Sequence, residues 1–280
     1  MTEKKGFTLI ELLVVIAIVS LLLSIVIPAV KMAKRKAGAA VCLTNVKNFS
    51  LAWNAYHGEN NGRIMNSNPS NPDGWVLHPF RENGTACDGF AVTPPVTDED
   101  EWRGIAAGVM YQQMGIEDYD AYRCPVDNRK SKYDLTPIFR SYAMPGCLGS
   151  QIRKISDIKQ PSRRYNFVEE AEGRNFNVGT WDFYTSETNP VGAFPYWRDP
   201  ISVAHGNGSV LGFCDGHAEV HQWVDRQTTY RLKFYFETAG IDHYGYGGNN
   251  CLNDRFPRDP SQVTDTEYME QGWAYKKGSR

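Results

Sequence analysis

The chain lacks the short signatures by which catalysis is usually read from sequence. It has no G-x-S-x-G and no H-E-x-x-H, so neither a nucleophile-elbow hydrolase nor a metallopeptidase helix can be read from it. None of its six cysteines forms a C-x-x-C pair, which argues against a zinc ribbon or a thioredoxin-type site. No stretch has the spacing of an EF-hand loop, and there is no internal repeat. Neither sign of charge is in excess. Thirty Lys and Arg face thirty-two Asp and Glu, for a net charge of −2, and a chain without a basic surplus offers no electrostatic footprint for nucleic acid.

What the chain does have is unevenly placed. The stretch Phe7 to Ile27 is 21 residues long and is interrupted only by Thr8, Glu11, Ser20 and Ser24. At about 1.5 Å per residue, a helix of that length covers about 30 Å, the thickness of a bilayer core. A secretory signal peptide has a shorter apolar region followed by an A-x-A-like site. No such site follows this run; the small residue, Gly6, precedes it. A buried core helix would not lack a polar face for six turns. The run therefore reads as a membrane span. Glu11 is the one ionisable group inside it, and a carboxylate at that depth has to be neutralised, paired or drawn out to the headgroups.

Gly6-Phe7-Thr8-Leu9-Ile10-Glu11, preceded by Lys4-Lys5, resembles the processing site of type IV prepilins and of the pseudopilins of type II secretion. The resemblance implies that a membrane-bound prepilin peptidase cuts between Gly6 and Phe7 and methylates the new amine on Phe7. It implies that Glu11, the fifth residue of the mature chain, pairs with the terminal amine of a neighbouring subunit. Pro28 matches a helix-kinking proline of that family. The partners implied are the peptidase, other pilin or pseudopilin subunits and the bacterial inner membrane; the charge balance speaks against nucleic acid, and the missing catalytic motifs favour a subunit that is not an enzyme. The large domain is expected on the periplasmic or cell-surface side. Charge alone points the other way. Lys31, Lys34, Arg35 and Lys36 follow the span and only Lys4 and Lys5 precede it, and the more basic flank is ordinarily cytoplasmic. The processing motif is the more specific signal and sets the expectation.

Residues 1–36 carry six basic side chains and two acidic ones, Glu3 and Glu11, for a net +4; the rest of the chain is therefore −6 against the total of −2. Beyond Pro28, Cys42, Val46, Phe49, Trp53 and Tyr56 recur at spacings of 4, 3, 4 and 3, an apolar stripe along one helix face. Asn60-Asn61-Gly62 ends it. The expectation is one helix of about 50 residues, half in lipid and half packed on a domain. Residues 61–100 read as long surface loops, Glu101–Met114 as a short helix, and the tail from Gly245 as loop-rich. Strands are expected at Tyr165–Val168, Val210–Cys214 and Ala218–Trp223. The fold class is α+β, with the long helix against an antiparallel sheet. The divisions are a leader over 1–6, a transmembrane segment over 7–30, a helix continuation over 31–60 and a soluble pseudopilin-like domain over 61–280.

Asp215-Gly216 lies between two β-prone runs and predicts a two-residue type I′ hairpin. That turn would set Cys214 opposite His217 and Leu211 opposite Val220. Leu211, Phe213, Ala218 and Val220 would then share a buried face, and Cys214, His217, Glu219 and His221 the other. His205, nine residues and then Asp215-Gly216 also resembles an element near the C-terminus of a large group of prepilin-processed proteins. Cys42-x-x-Asn45, Arg123-Cys124-Pro125 and the stretch from Gln160-Pro161-Ser162-Arg163 to Glu169 resemble that group too.

His205, Asp215 and His217 are candidate metal ligands by residue type. His217 and His221 share a strand face but stand about 13 Å apart. The plainer expectation is that His205 braces the hairpin and Asp215 serves the turn. Secretion pseudopilins often carry a calcium loop, and the acidic stretches here are Asp98-Glu99-Asp100-Glu101 and Glu117-Asp118-x-Asp120. A charge run is ordinarily a solvated loop, so these residues require no cofactor; calcium or another divalent metal is the candidate to test. The even number of cysteines, Cys42, Cys87, Cys124, Cys147, Cys214 and Cys251, permits disulfides in an exported domain, but spacing does not choose the partners. Two functions fit: a filament subunit of a type II secretion or type IV pilus-like assembly, or a membrane-anchored ligand-binding protein or hydrolase that uses a prepilin-type anchor.

Overall fold

The structure is a computed structural model and describes residues 8–87, 95–129, 139–171, 179–185, 196–197, 199, 201–225, 228–229, 244–245, 249–250 and 264–273. The leader, Gly6, Phe7 and Cys251 lie outside the described residues.

Helix α1 runs from Leu9 to Glu59 without a break. Its start is a capping box: Thr8 N–H donates to Glu11 Oε2 at 2.8 Å, and Glu11 N–H donates to Thr8 Oγ1 at 3.3 Å, so two of the orphan donors of the first turn are satisfied. At the far end Asn60 N–H returns to the Tyr56 carbonyl, and Asn61 and Gly62 take positive φ, which ends the helix where the Asn-Asn-Gly run predicts. Pro28 sits inside the helix and removes one backbone donor there. From Leu9 to Val30 every side chain is exposed. Among the described residues this is the one helix long and apolar enough to cross a membrane, and it fits a single-pass anchor.

From Gly38 the same helix becomes core. Its buried residues are Gly38, Cys42, Val46, Phe49, Ser50, Trp53 and Tyr56, so all five residues of the sequence stripe point inward. Phe49 is the centre of an aromatic cluster, with ring centroids 5.0 Å from Tyr122, 5.5 Å from Phe167, 5.7 Å from Tyr142 and 5.8 Å from Trp75. Each such ring contributes roughly 2–3 kcal/mol by burial alone.

The helix packs on a five-stranded sheet. Its strands are β1 (Tyr142–Pro145), β2 (Tyr165–Glu169), β3 (Thr180–Trp181), β6 (Gly208–Phe213) and β7 (Ala218–Gln222), in the order β3-β1-β2-β6-β7. Two-residue strands β4 (Phe183–Tyr184) and β5 (Tyr196–Trp197) form a separate ribbon. The three predicted strands are present. The sheet is antiparallel as expected except at β3, which pairs in parallel with β1. α1 passes close over Gly212 in β6: a Cβ there would lie 2.5 Å from Ser50 Oγ and 2.7 Å from Val46 Cγ1.

Four expectations are corrected. The β6–β7 hairpin pairs Gly212 with Ala218, Leu211 with Glu219 and Val210 with Val220, one residue away from the predicted register. Phe213 N–H reaches the His217 carbonyl and Gly216 N–H the Phe213 carbonyl. The loop is thus the three residues Cys214-Asp215-Gly216, with positive φ at Gly216 (95°) but not at Asp215: a turn followed by a glycine bulge rather than type I′. A slip of one residue exchanges faces, so Leu211 shares its side with Glu219, not with Val220.

The stretch 61–87 is not only surface. Its asparagines close local turns, as when Asn66 Oδ1 and Asn71 Oδ1 accept from the N–H groups of Asn68 and Asp73. Between those turns the chain carries Met65, Trp75 and Val76 into the core, with Trp75 Nε1 donating to the Gly179 carbonyl at 2.7 Å. The predicted helix 101–114 is two helices, α2 (Asp98–Ala106) and α3 (Val109–Gln112). They part at Gly108, where a Cβ would meet the Trp75 carbonyl at 2.5 Å. The tail carries a helix, Thr264–Gly272. It covers the sheet side away from α1: Tyr268 stacks on His221 with centroids 3.8 Å apart, donates to Glu219 Oε1 at 2.6 Å, and accepts at its carbonyl from Tyr165. Met269 and Trp273 are buried behind it.

Candidate functional site

Two places carry chemistry. The first is the exposed apolar half of α1. Glu11 Oε2 is held by the Thr8 N–H and hydroxyl, both at 2.8 Å, while Oε1 has no partner among the described residues. The carboxylate is thus preorganised by its own helix end and has one free oxygen.

The second lies inside the domain, where four distant segments meet. Cys42 comes from the α1 stripe. Cys124 follows the short 3₁₀ turn Tyr119–Tyr122, and its N–H donates to Ser141 Oγ at 3.0 Å. The Ser141 hydroxyl in turn donates to Asp127 Oδ2 at 2.6 Å, and Asp127 is paired with Arg129. Glu169 ends β2, and its Oε2 accepts from Val210 N–H at 2.7 Å. His205 stands in the tight turn before β6, shaped by positive φ at Gly206 and Asn207.

His205 Nε2 lies 2.9 Å from Glu169 Oε1 and 3.7 Å from Cys124 Sγ. One donor atom from each of Cys42, Cys124, Glu169 and His205 lies within 4.8 Å of the others, and all four residues are buried. The environment separates the two thiols. Its hydrogen bond with Cys124 and its burial push Cys42 up, so it keeps its proton. The same bond pulls Cys124 down, against burial and with help from His205. Burial would lower His205, but its bonds to Cys124 and Glu169 outweigh this and raise it to about 10. Cys124 is therefore the more acidic of the two thiols, and His205 an imidazole made more basic between Cys124 and Glu169.

The sequence-predicted sites fare unequally. His205 is a buried bridge to Glu169, and it does not meet Asp215, which lies at the other end of β6. Asp215 instead accepts from its neighbour His217 Nδ1 at 2.5 Å on the surface, and His217 stacks on Phe213. The His205–Asp215–His217 set is thus not one ligand site. Asp98-Glu99-Asp100-Glu101 is not a cation loop but the first turn of α2, where Asp100 pairs with Arg81 and Arg103, and Glu101 lies 2.7 Å from Arg140 Nε. Asp118 caps the Tyr119–Tyr122 turn. Cys42, Cys124 and Glu169 belong to stretches that stand out in sequence one at a time; their meeting with His205 is visible only in the fold.

Residues 1–27 match the family model of the prokaryotic N-terminal methylation motif. The match supports a prepilin-like N-terminus of the processed and methylated type, followed by a helix that fits a single-pass membrane anchor. The match stops before the globular domain and does not reach His205 or Asp215-Gly216. The chain matches no curated protein and no solved structure.

Proposed function

We propose that this protein is a non-enzymatic subunit of a pilin-like or pseudopilin filament, of the type II secretion or type IV pilus-like kind. The observation that carries this reading is the bare apolar helix from Leu9 to Val30 with Glu11 at its head, directly after a matched processing motif. A prepilin peptidase removes residues 1–6 and methylates Phe7. The helix then serves twice, first as membrane anchor and afterwards as the inner packing element among other subunits. Glu11 offers its free oxygen to the terminal amine of a neighbour. That pair penalises misregistered subunits, because a charge left unpaired in an apolar surrounding costs several kcal/mol. The domain works on the outer face of the inner membrane.

The test is made in the native host. Intact mass should show loss of residues 1–6 and a gain of one methyl group, and a full-length unmodified chain would sink the reading. Glu11→Ala should still insert, and more readily, since a carboxylate at depth costs about 2.5–3.5 kcal/mol on insertion scales. It should nevertheless impair filament formation. Filament yield equal to wild type would remove Glu11 from assembly.

A further inference from the structure

We propose that Cys42, Cys124, Glu169 and His205 form a closed structural zinc site that staples the anchor helix to the sheet. The donor set is two thiols, one imidazole and one carboxylate. Thiolate and imidazole together select zinc among the common divalent ions, while calcium and magnesium need oxygen. Zinc–ligand bonds of about 2.0–2.3 Å set the edges of a tetrahedron at about 3.3–3.8 Å. The Cys124 Sγ to His205 Nε2 distance of 3.7 Å already fits, and the His205 to Glu169 distance of 2.9 Å has to open by less than about 0.5 Å. Four protein donors leave no open position, which is the mark of a structural rather than a catalytic site.

The surroundings are built for ligation. Val210 N–H orients the Glu169 carboxylate, and Ser141 fixes the backbone of Cys124, the supporting contacts that a metal centre requires. His205 also lines a cleft of about 640 Å³ between α1 and the β6–β7 hairpin, with Lys31, Arg35, Gly206, Val220 and Gln222. Protons held by the thiols and the imidazole leave to solvent as the metal enters, so no redox partner is needed.

The competing chemistry is a Cys42–Cys124 disulfide. It would account for two of the four residues and leave His205 and Glu169 as a buried ion pair, which contributes little net stability by itself. A metal uses all four, and it links α1, the Cys124 segment, β2 and the His205 turn at a single point. The inference is independent of filament assembly.

The experiment uses the full-length protein in detergent micelles. Elemental analysis of wild type and of Cys214→Ser, which lacks a buried thiol outside the cluster, should find about one zinc per chain. Cys42→Ser and His205→Gln should retain below about a tenth of that after dialysis against a chelator, since losing even a contact that only supports a ligand costs about 10–100-fold in affinity. In wild type the chelator should lower the melting temperature and added zinc restore it.

Cobalt(II) put in place of zinc should give thiolate-to-cobalt charge-transfer absorption, which needs no variant to fold. Mass spectrometry after alkylation without reduction should show no Cys42–Cys124 crosslink. A wild type whose cobalt form lacks the thiolate band, or one in which Cys42 and Cys124 are crosslinked, overturns the proposal.

Discussion

Gly216 shows how far one residue can be read. Its φ of 95° is one that side-chain-bearing residues avoid, and a Cβ there would come 3.1 Å from Leu51 Cδ2 on α1. Gly216→Val should therefore cost about 1–3 kcal/mol of unfolding free energy, against a smaller loss for Gly216→Asn, because asparagine tolerates left-handed backbone. Denaturant unfolding of the full chain in detergent measures both. Equal stability of the valine variant would mean that the turn relaxes to another form. The Asp-Gly pair was legible as a turn, but its type was not. The same two residues serve a two-residue loop or end a three-residue one, and only the Phe213–His217 pairing chooses. His205 was legible as a notable residue and not as a ligand, because its partners Cys42, Cys124 and Glu169 are brought to it by α1, a loop and β2. No local spacing encodes such a convergence.

Among the elements, α1 was the most legible, since a 3.6-residue period repeats over the whole of its buried half. The C-terminal helix was hidden because its hold on the domain is tertiary. Asp265 accepts from the N–H groups of Val224 and Asp225, and Tyr268 lies flat on His221. This contact gives β7 a pH dependence. Burial lowers His221 below its ordinary 6.5, while Glu219 and Asp265 pull it partly back. The folded state thus favours the neutral ring. Its contribution is complete above that ordinary value and is lost as the pH falls through the lower folded one. Wild type should lose melting temperature as the pH drops below 6.5, and His221→Phe, which keeps the stack, should lose less. His57 is lowered by burial in the same direction and is common to both proteins, so the difference isolates His221. Parallel pH curves would remove the effect from this contact.

At the scale of the whole molecule, two signals oppose each other. The four basic residues at 31–36 favour a cytoplasmic domain, and the processing motif favours the opposite side. A reporter active only outside the cytoplasm, fused after Arg280, should be active; silence there, with activity of a cytoplasmic reporter, would give the decision to the basic residues. The division between anchor and domain falls inside one helix, as the stripe from Cys42 to Tyr56 predicts: from Gly38 it forms the wall on which β2, β6 and β7 are laid. This has a practical meaning for anyone wishing to shave the protein from a cell. A protease cutting between Ile27 and Gly38 would free a finished domain, handle included. A cut at Asn60 would tear out Phe49 and Trp53 with the stump and leave Trp75, Tyr122, Tyr142 and Phe167 facing water. The smallest piece that keeps this core whole still carries more than two fifths of the 51-residue helix.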